Sequence, residues 1–239
     1  MTHPEDAFFT LHRDLPREGP GEPADVAWAA NVAGLGPDAR IADVGCGPGG
    51  DIAALLDAAP RGHVTALDKT AHFIASARRA WGDDPRVTVL QADMARIMNP
   101  HDMIWCAGAV YFLGIGAALK GWRRSLARGG VVVFSEPCWF TNEPSVQARE
   151  FWAQYPRMTD EAGITRQVKE AGYQVMGSRR LGSAAWEAYY TPLMQRIAAL
   201  RPQADATLAA LLDETEAEVD LWRREGGDFG YLLTVARPA

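Results

Sequence analysis

The segment from Ile41 to Gly50, IADVGCGPGG, constrains this chain most, because strand-like apolar residues run directly into a cluster of glycines. The following residues 51–57, DIAALLD, have apolar positions at helical spacing. Glycine lets the backbone adopt a positive φ and approach a ligand closely. The free amides at the start of the helix would face the same ligand. The sequence therefore predicts a strand, a glycine-rich loop and a helix that bind a nucleotide-like cofactor.

The glycine spacing alone leaves two classes of cofactor open. Gly45, Gly47 and Gly50 satisfy the dinucleotide pattern GxGxxG. However, Asp43 stands two residues before the first glycine, where NAD-binding chains usually have an apolar residue. Pro48 interrupts the loop where a pyrophosphate would contact helix amides. These two residues favour a cofactor without phosphate.

Two further acidic residues follow at equal intervals. Asp68 ends the strand-like run HVTALD, 25 positions after Asp43, and Asp93 ends VTVLQAD another 25 positions later. Each acid taken alone is also typical of a helix cap or a turn. In an open α/β sheet, ligands bind at the carboxyl ends of the strands, where a carboxylate can hold ribose hydroxyls. Three acids in register therefore indicate one binding edge.

This arrangement resembles the class I S-adenosylmethionine-dependent methyltransferases, whose signature is Asp-x-Gly-x-Gly-x-Gly. The resemblance implies S-adenosylmethionine as cofactor, with Asp43 and Gly45 near its methionine amino group. It likewise implies Asp68 at the ribose, and Asp93 and Met94 at the adenine. The other residues that we predict at the cofactor are Cys46, Gly47, Gly49, Lys69 and Cys106.

Strand and helix patterns alternate along the chain and predict a doubly wound α/β sheet. Predicted strands are 40–44, 63–67, 87–91, 102–105, 131–135, 173–181 and 229–237, and predicted helices are 23–33, 70–81, 116–127 and 159–171. The resemblance implies a Rossmann-like sheet of seven strands in the order 3-2-1-4-5-7-6, with helices on both faces. We expect one domain over residues 1–239, which is enough for a single α/β core.

Two segments lie outside that minimal core: an N-terminal cap segment, 1–34, and a helical insertion, 184–224. Aromatic and apolar residues in the insertion recur at i, i+3 and i+4. A hairpin connection would need only a few residues. We predict that the insertion covers the cofactor edge and forms a substrate wall. A dimer face or a larger core is the alternative.

Residues at the acceptor are predicted from the loops after the fourth and fifth strands. Tyr111 and Glu136 are the candidate catalytic residues, since a general base is needed if the nucleophile holds a proton. Glu136 could instead hold a cationic substrate, or it could be a structural carboxylate. Aromatic side chains form apolar walls and can stabilise cations. The predicted substrate-binding residues are Arg17, Tyr111, Trp139, Trp186 and Tyr189, although an aromatic residue of this kind taken alone is more often core than ligand.

The amino-acid composition excludes several classes of function. A net charge of −6 and a pI near 5.4 argue against a protein that coats nucleic acid. Three cysteines without ligand spacing indicate neither a disulfide framework nor a metal site. We see no targeting segment or membrane span. We therefore expect a cytoplasmic enzyme that transfers a methyl group to oxygen, nitrogen or sulfur of a small molecule, with a homodimer as one possible assembly. The alternatives are a non-catalytic S-adenosylmethionine-binding sensor or scaffold, a protein or nucleic-acid methyltransferase, and an NAD-dependent oxidoreductase.

Overall fold

The computed structural model describes residues 3–239, which form an eight-stranded sheet with helices on both faces. Strand order is β3-β2-β1-β4-β5-β8-β7, and short β6 pairs with β5. Strands β1 to β5 are parallel, whereas β8 runs antiparallel to both neighbours. This confirms the predicted order and adds β6. The strands are β1 Arg40–Val44, β2 His63–Asp68, β3 Val87–Gln91, β4 His101–Cys106, β5 Leu126–Trp139, β6 Thr159–Asp160, β7 Tyr173–Arg180 and β8 Phe229–Pro238.

The helices agree with the predicted ones except at a few boundaries. The helix predicted over 116–127 ends at Trp122, because a 3₁₀ turn leads directly into β5. The helix predicted over 159–171 starts at Glu161, since the preceding Asp160 caps it by accepting from Gly163 N at 2.8 Å. Helices α1 and α6 were not predicted. The helices are α1 Pro4–Leu11, α2 Pro23–Ala33, α3 Ile52–Ala58, α4 Ala71–Trp81, α5 Ile115–Trp122, α6 Val146–Phe151, α7 Glu161–Glu170, α8 Ser183–Leu200 and α9 Ala206–Glu225.

The core lies on both faces of the central strands. Neighbouring residues of one strand point to opposite faces, so Ile41 packs in one buried cluster and Ala42 in the other. Val133 and Phe134 of β5 divide in the same way. Burial on both faces is typical of a parallel sheet covered by helices. It fixes the positions of the strand ends, where the site lies.

A third buried cluster joins α1, α8 and α9. Leu11 of α1 packs there with Tyr190 and Leu193 of α8 and Leu212 of α9. The two long helices α8 and α9 thus occupy most of the predicted insertion 184–224, and they hold the N-terminal cap segment against the rest of the molecule. No helix within residues 3–239 is both long and apolar enough to span a bilayer.

Candidate functional site

A cavity of about 670 Å³ opens at the carboxyl ends of β1 to β4. Its wall consists of the loops that follow these strands, part of the N-terminal cap segment and one residue of α8. Strands β2 and β4 flank β1, so the chain order reverses at this point, which is where open α/β sheets bind their ligands. The cavity is the candidate site.

Most of the predicted site residues line this cavity, and five do not. Lining residues are Arg17, Asp43, Gly45, Cys46, Gly47, Asp68, Lys69, Asp93, Met94, Tyr111 and Tyr189. The remaining predicted residues lie elsewhere: Gly49, Cys106, Glu136, Trp139 and Trp186.

The glycine-rich loop is tied to the end of β2. Gly45 N donates to Leu67 O at 2.8 Å, and Gly47 N donates to the Asp68 carboxylate at 3.2 Å. Gly45 has φ +75°, and a Cβ there would lie only 2.7 Å from the Cβ of Ala109. Because this loop passes so close to the loop after β4, only glycine fits at Gly45.

Asp43 presents an unsatisfied oxygen in the cavity wall. The residue is only 3% exposed, and its Oδ2 has no hydrogen-bond partner. Burial raises the pKa of the Asp43 carboxyl well above its ordinary value; the charges of Asp51 and Asp68 add to this effect and Arg17 opposes it. Buried polar atoms are normally hydrogen-bonded. Asp43 therefore offers a place for a ligand donor, above all a cationic one.

Asp68 and Asp93 accept hydrogen bonds from backbone amides and can still accept others from a ligand. Asp68 Oδ1 accepts from Thr70 N at 2.7 Å, and Asp93 Oδ1 accepts from Ala95 N at 2.9 Å. A carboxylate oxygen has two lone pairs, so both side chains can accept a further hydrogen bond from a ligand in the cavity. The turn role and the binding role, which are alternatives from sequence, are thus compatible.

Arg17 is fixed by its own ion pair. Its Nη2 lies 3.0 Å from Asp51 Oδ1, and its Nε donates to Gly19 O at 2.6 Å. The other oxygen of Asp51 accepts from Trp105 Nε1 at 2.9 Å. This arrangement attaches the N-terminal cap segment to the start of α3, directly beside the glycine-rich loop. The Arg17 guanidinium is engaged by the protein itself.

His12 and Glu18 form a second polar pair in the wall, which our sequence analysis missed. His12 Nδ1 lies 2.6 Å from Glu18 Oε2, and the imidazole stacks on Phe8 with 4.0 Å between ring centroids. Glu18 Oε1 has no partner. Burial raises the pKa of Glu18, against the hydrogen bond and charge of His12. The only sequence signal was that these residues lie in the cap segment, outside the minimal core.

Glu136 lies behind the cavity wall. Its Oε1 accepts from the Tyr155 hydroxyl at 2.5 Å, and the Tyr155 ring lies 6.1 Å from that of Tyr111, which lines the cavity. Its Oε2 has no partner, and the residue is 4% exposed. Burial raises the pKa of Glu136 to about 7, although Tyr155 and the charge of Arg157 act in the opposite direction. Tyr155 is a further residue that sequence analysis missed.

The other four predicted residues outside the cavity wall have clear packing roles. Cys106 is fully buried in the core, and Trp186 stacks on Trp222 with 4.9 Å between ring centroids. Trp139 packs edge to face on Phe229 at 6.4 Å. Gly49 faces the core, where a Cβ would lie 2.9 Å from Cδ1 of Ile52. At these four positions the side chain or backbone packs against apolar neighbours and does not face the cavity.

Comparison with known proteins agrees with this geometry. Residues 41–130, which contain the glycine-rich loop and the three acids, match the family model described as a methyltransferase domain. Residues 41–130 thus form a methyltransferase domain, and the strand order of the sheet is that of the class I methyltransferases. This confirms the predicted family. Outside residues 41–130, β7 and β8 complete the class I sheet of this methyltransferase domain.

Relatives and solved structures extend the match. A trans-aconitate 2-methyltransferase of Streptomyces avermitilis is 30% identical over 170 residues, 66% of this chain and 62% of that protein. Another, of Azoarcus, is 33% identical over 102 residues, 41% of this chain and 39% of that protein. The chain thus aligns with less than two thirds of these relatives' length. A methyltransferase structure from Geobacter sulfurreducens, in complex with S-adenosyl-L-homocysteine, shares the fold with a TM-score of 0.81 at 19% identity, over 98% of both chains.

Proposed function

We propose that this protein transfers a methyl group from S-adenosylmethionine to oxygen, nitrogen or sulfur of a small molecule. The observation that carries the proposal is the unpartnered Oδ2 of buried Asp43, on the same cavity wall as Asp68 and Asp93. Bound S-adenosylmethionine would bring a cation beside Asp43, hydroxyls to Asp68 and an adenine amine to Asp93. The residues present therefore fit this cofactor.

The cofactor, when bound, supplies an electrophilic methyl group on a sulfonium. The task of the protein is then to place an acceptor in line with that methyl and to exclude water, since positioning accounts for much of such a rate enhancement. Tyr111 and Tyr189 lie on the wall beyond the cofactor residues, and we assign them to the acceptor. Because Glu136 lies behind Tyr111, we propose that Glu136 acts through Tyr155 as a positioning residue rather than by contact with the acceptor.

We assign to the helical insertion 184–224 the role of covering the cavity. Tyr189 of α8 reaches the cavity, whereas most of the remaining aromatic residues of α8 pack inward against α1 and α9. This supports a substrate wall formed by 184–224 together with the cap segment. A cytoplasmic location and a homodimer stay predictions from the sequence.

The proposal is tested first at the cofactor. Asp68→Ala should weaken S-adenosylmethionine binding by about 1.5 to 3 kcal/mol, because ribose hydroxyls lose a charged acceptor. Titration calorimetry with S-adenosylmethionine, S-adenosylhomocysteine and NAD measures this, with the exposed Asp57→Ala as the matched control. Tighter binding of NAD, or wild-type affinity in a folded Asp68→Ala, would refute the assignment.

Catalysis is tested separately. Transfer of a labelled methyl group to metabolite fractions separates an enzyme from a non-catalytic sensor. Tight cofactor binding with no labelled product in any fraction would favour the sensor.

A further inference from the structure

The cavity is rich in aromatic side chains and carries few free cations. Its aromatic wall consists of Phe8, Phe9, Phe73, Tyr111, Phe112 and Tyr189. Within the described part of the chain, Arg17 and Lys69 are the two lysine or arginine residues on the wall, and the Arg17 charge is paired with Asp51. An acceptor with several carboxylates would need more cations than these.

Carboxyl groups surround this aromatic wall. Glu18 lies in the wall with a free Oε1. Glu136 and Glu218 lie behind it; burial raises the pKa of Tyr111 and Tyr231, and the charges of both glutamates add to this effect. Each of the three carboxyls has a hydrogen-bond partner that is neither lysine nor arginine. The partners are His12 for Glu18, Tyr155 for Glu136 and Tyr190 for Glu218. Glu136 is 4% exposed and keeps a second oxygen without a partner.

We propose that the methyl acceptor is an organic amine, bound in its protonated form against this wall. Aromatic faces attract a cation that has lost its water. Burial raises the pKa of the three carboxyls, and a cation in the cavity lowers it again, so that the ionised carboxyls and the cation stabilise each other. The inference rests on the proposed methyl transfer. An amine acceptor would distinguish this chain from its relatives that are named trans-aconitate 2-methyltransferases, because trans-aconitate is a tricarboxylate.

The proposal also provides a destination for the proton. An ammonium must lose a proton before its nitrogen can attack, and His12 lies in the wall with Nδ1 held by Glu18, so its Nε2 can accept that proton. The nitrogen then bonds to the methyl carbon as the bond from that carbon to sulfur breaks. The sulfur keeps the electron pair, and the methylated amine carries the positive charge away.

Binding measurements with the S-adenosylhomocysteine complex test the charge preference. Within each series of probes, the same carbon skeleton carries an amine, a neutral alcohol or a carboxylate. One series is phenethylamine, 2-phenylethanol and 3-phenylpropionate, and further series have other aliphatic and aromatic skeletons. Trans-aconitate is measured as a separate probe. We expect amines to bind at least about 10-fold more tightly than their partners in at least one series, and to be the probes that accept labelled methyl. No amine preference in any series, or tighter binding of carboxylates, overturns the proposal.

Variants locate the effect. Glu18→Gln and Glu218→Gln should each weaken amine binding about 3- to 10-fold while alcohol binding stays within twofold. Glu214→Gln, one turn earlier on α9 and exposed, is the control and should change neither. His12→Gln should slow methyl transfer to the amine about 10²-fold and leave its affinity within twofold. Equal losses for amine and alcohol would show a packing role and refute the charge role. A protein that fails to bind S-adenosylhomocysteine refutes the proposed function, whereas one that binds it and prefers carboxylates refutes this inference alone.

Discussion

The buried carboxyl of Glu136 should make the stability of the protein fall as pH rises. Its pKa is raised from 4.5 to about 7, chiefly by burial. Because the folded state keeps a proton that the unfolded state releases, the contribution to stability is complete below pH 4.5 and is lost as pH rises through 7. The difference between 4.5 and about 7 corresponds to about 3 kcal/mol at 25 °C.

Glu136→Gln removes this dependence, since glutamine does not titrate. The free energy of unfolding of the variant minus that of the wild type should therefore increase by about 2 to 3 kcal/mol between pH 5 and pH 8. Urea unfolding followed by tryptophan fluorescence at several pH values measures it. Other buried acids such as Asp43 and Glu218 titrate in both proteins and cancel in the difference.

A matched control and a second variant sharpen the test. Glu150→Gln changes an exposed carboxyl and should give a difference that does not vary with pH. Tyr155→Phe removes the hydrogen bond to Glu136 Oε1, which should raise the Glu136 pKa further and move the stability loss to higher pH. If the Glu136→Gln difference is constant within about 0.5 kcal/mol from pH 5 to pH 8, Glu136 is ionised in the folded protein and the argument from burial is wrong.

Three other predictions follow from the site. Gly45→Ala should destabilise the protein by about 1 to 3 kcal/mol and weaken S-adenosylhomocysteine binding, because Gly45 has a φ of +75° and a Cβ there would press on Ala109. Gly36→Ala, with open space around it, is the control. Equal unfolding midpoints for the two variants would refute this prediction. Arg17→Ala should cost about 3 kcal/mol in urea unfolding, since the largely buried Asp51 loses its charge partner, and an unchanged midpoint contradicts it. Hydrogen exchange in 184–224 should slow when S-adenosylhomocysteine and an acceptor are both bound; protection that depends on protein concentration instead indicates a dimer face.

The half of the cavity that we propose for the cofactor was predictable because its residues follow strand ends. Asp43, Asp68 and Asp93 stand at a constant interval of 25 in the sequence. Strands of one parallel sheet end at the same edge, so spacing alone brings them together. The same logic misplaced Cys106, since a residue at a strand end can face the core as easily as the edge. Spacing predicts which edge a residue reaches and not which way its side chain points.

The half that we propose for the acceptor was less predictable because several of its residues come from distant segments. His12 and Glu18 reach the cavity only because α1 packs on α8 and α9, a contact between segments far apart in the sequence. Aromatic composition identified the insertion but not which ring faces the cavity. Tyr189 lines it, whereas its neighbour Tyr190 points into the helical cluster and donates to Glu218 at 3.0 Å. On an irregular helical layer, such a choice depends on packing that no local pattern encodes.

Apart from Glu18, the two halves of the cavity should therefore respond to mutation independently. Residues for the cofactor are held by the sheet and by backbone amides, as the bonds from Gly47 N and Thr70 N to Asp68 show. The residues proposed for the acceptor are held by the helical layer, by side-chain pairs such as His12 with Glu18 and, for Tyr111, by the loop after β4. Sites with no shared partners usually have additive effects. Glu18 is the exception, because its side chain lies beside Gly47 and the charge of Asp68 acts on it. A change at Glu218 should alter which acceptor is methylated and leave unchanged the strand ends that we propose for the cofactor.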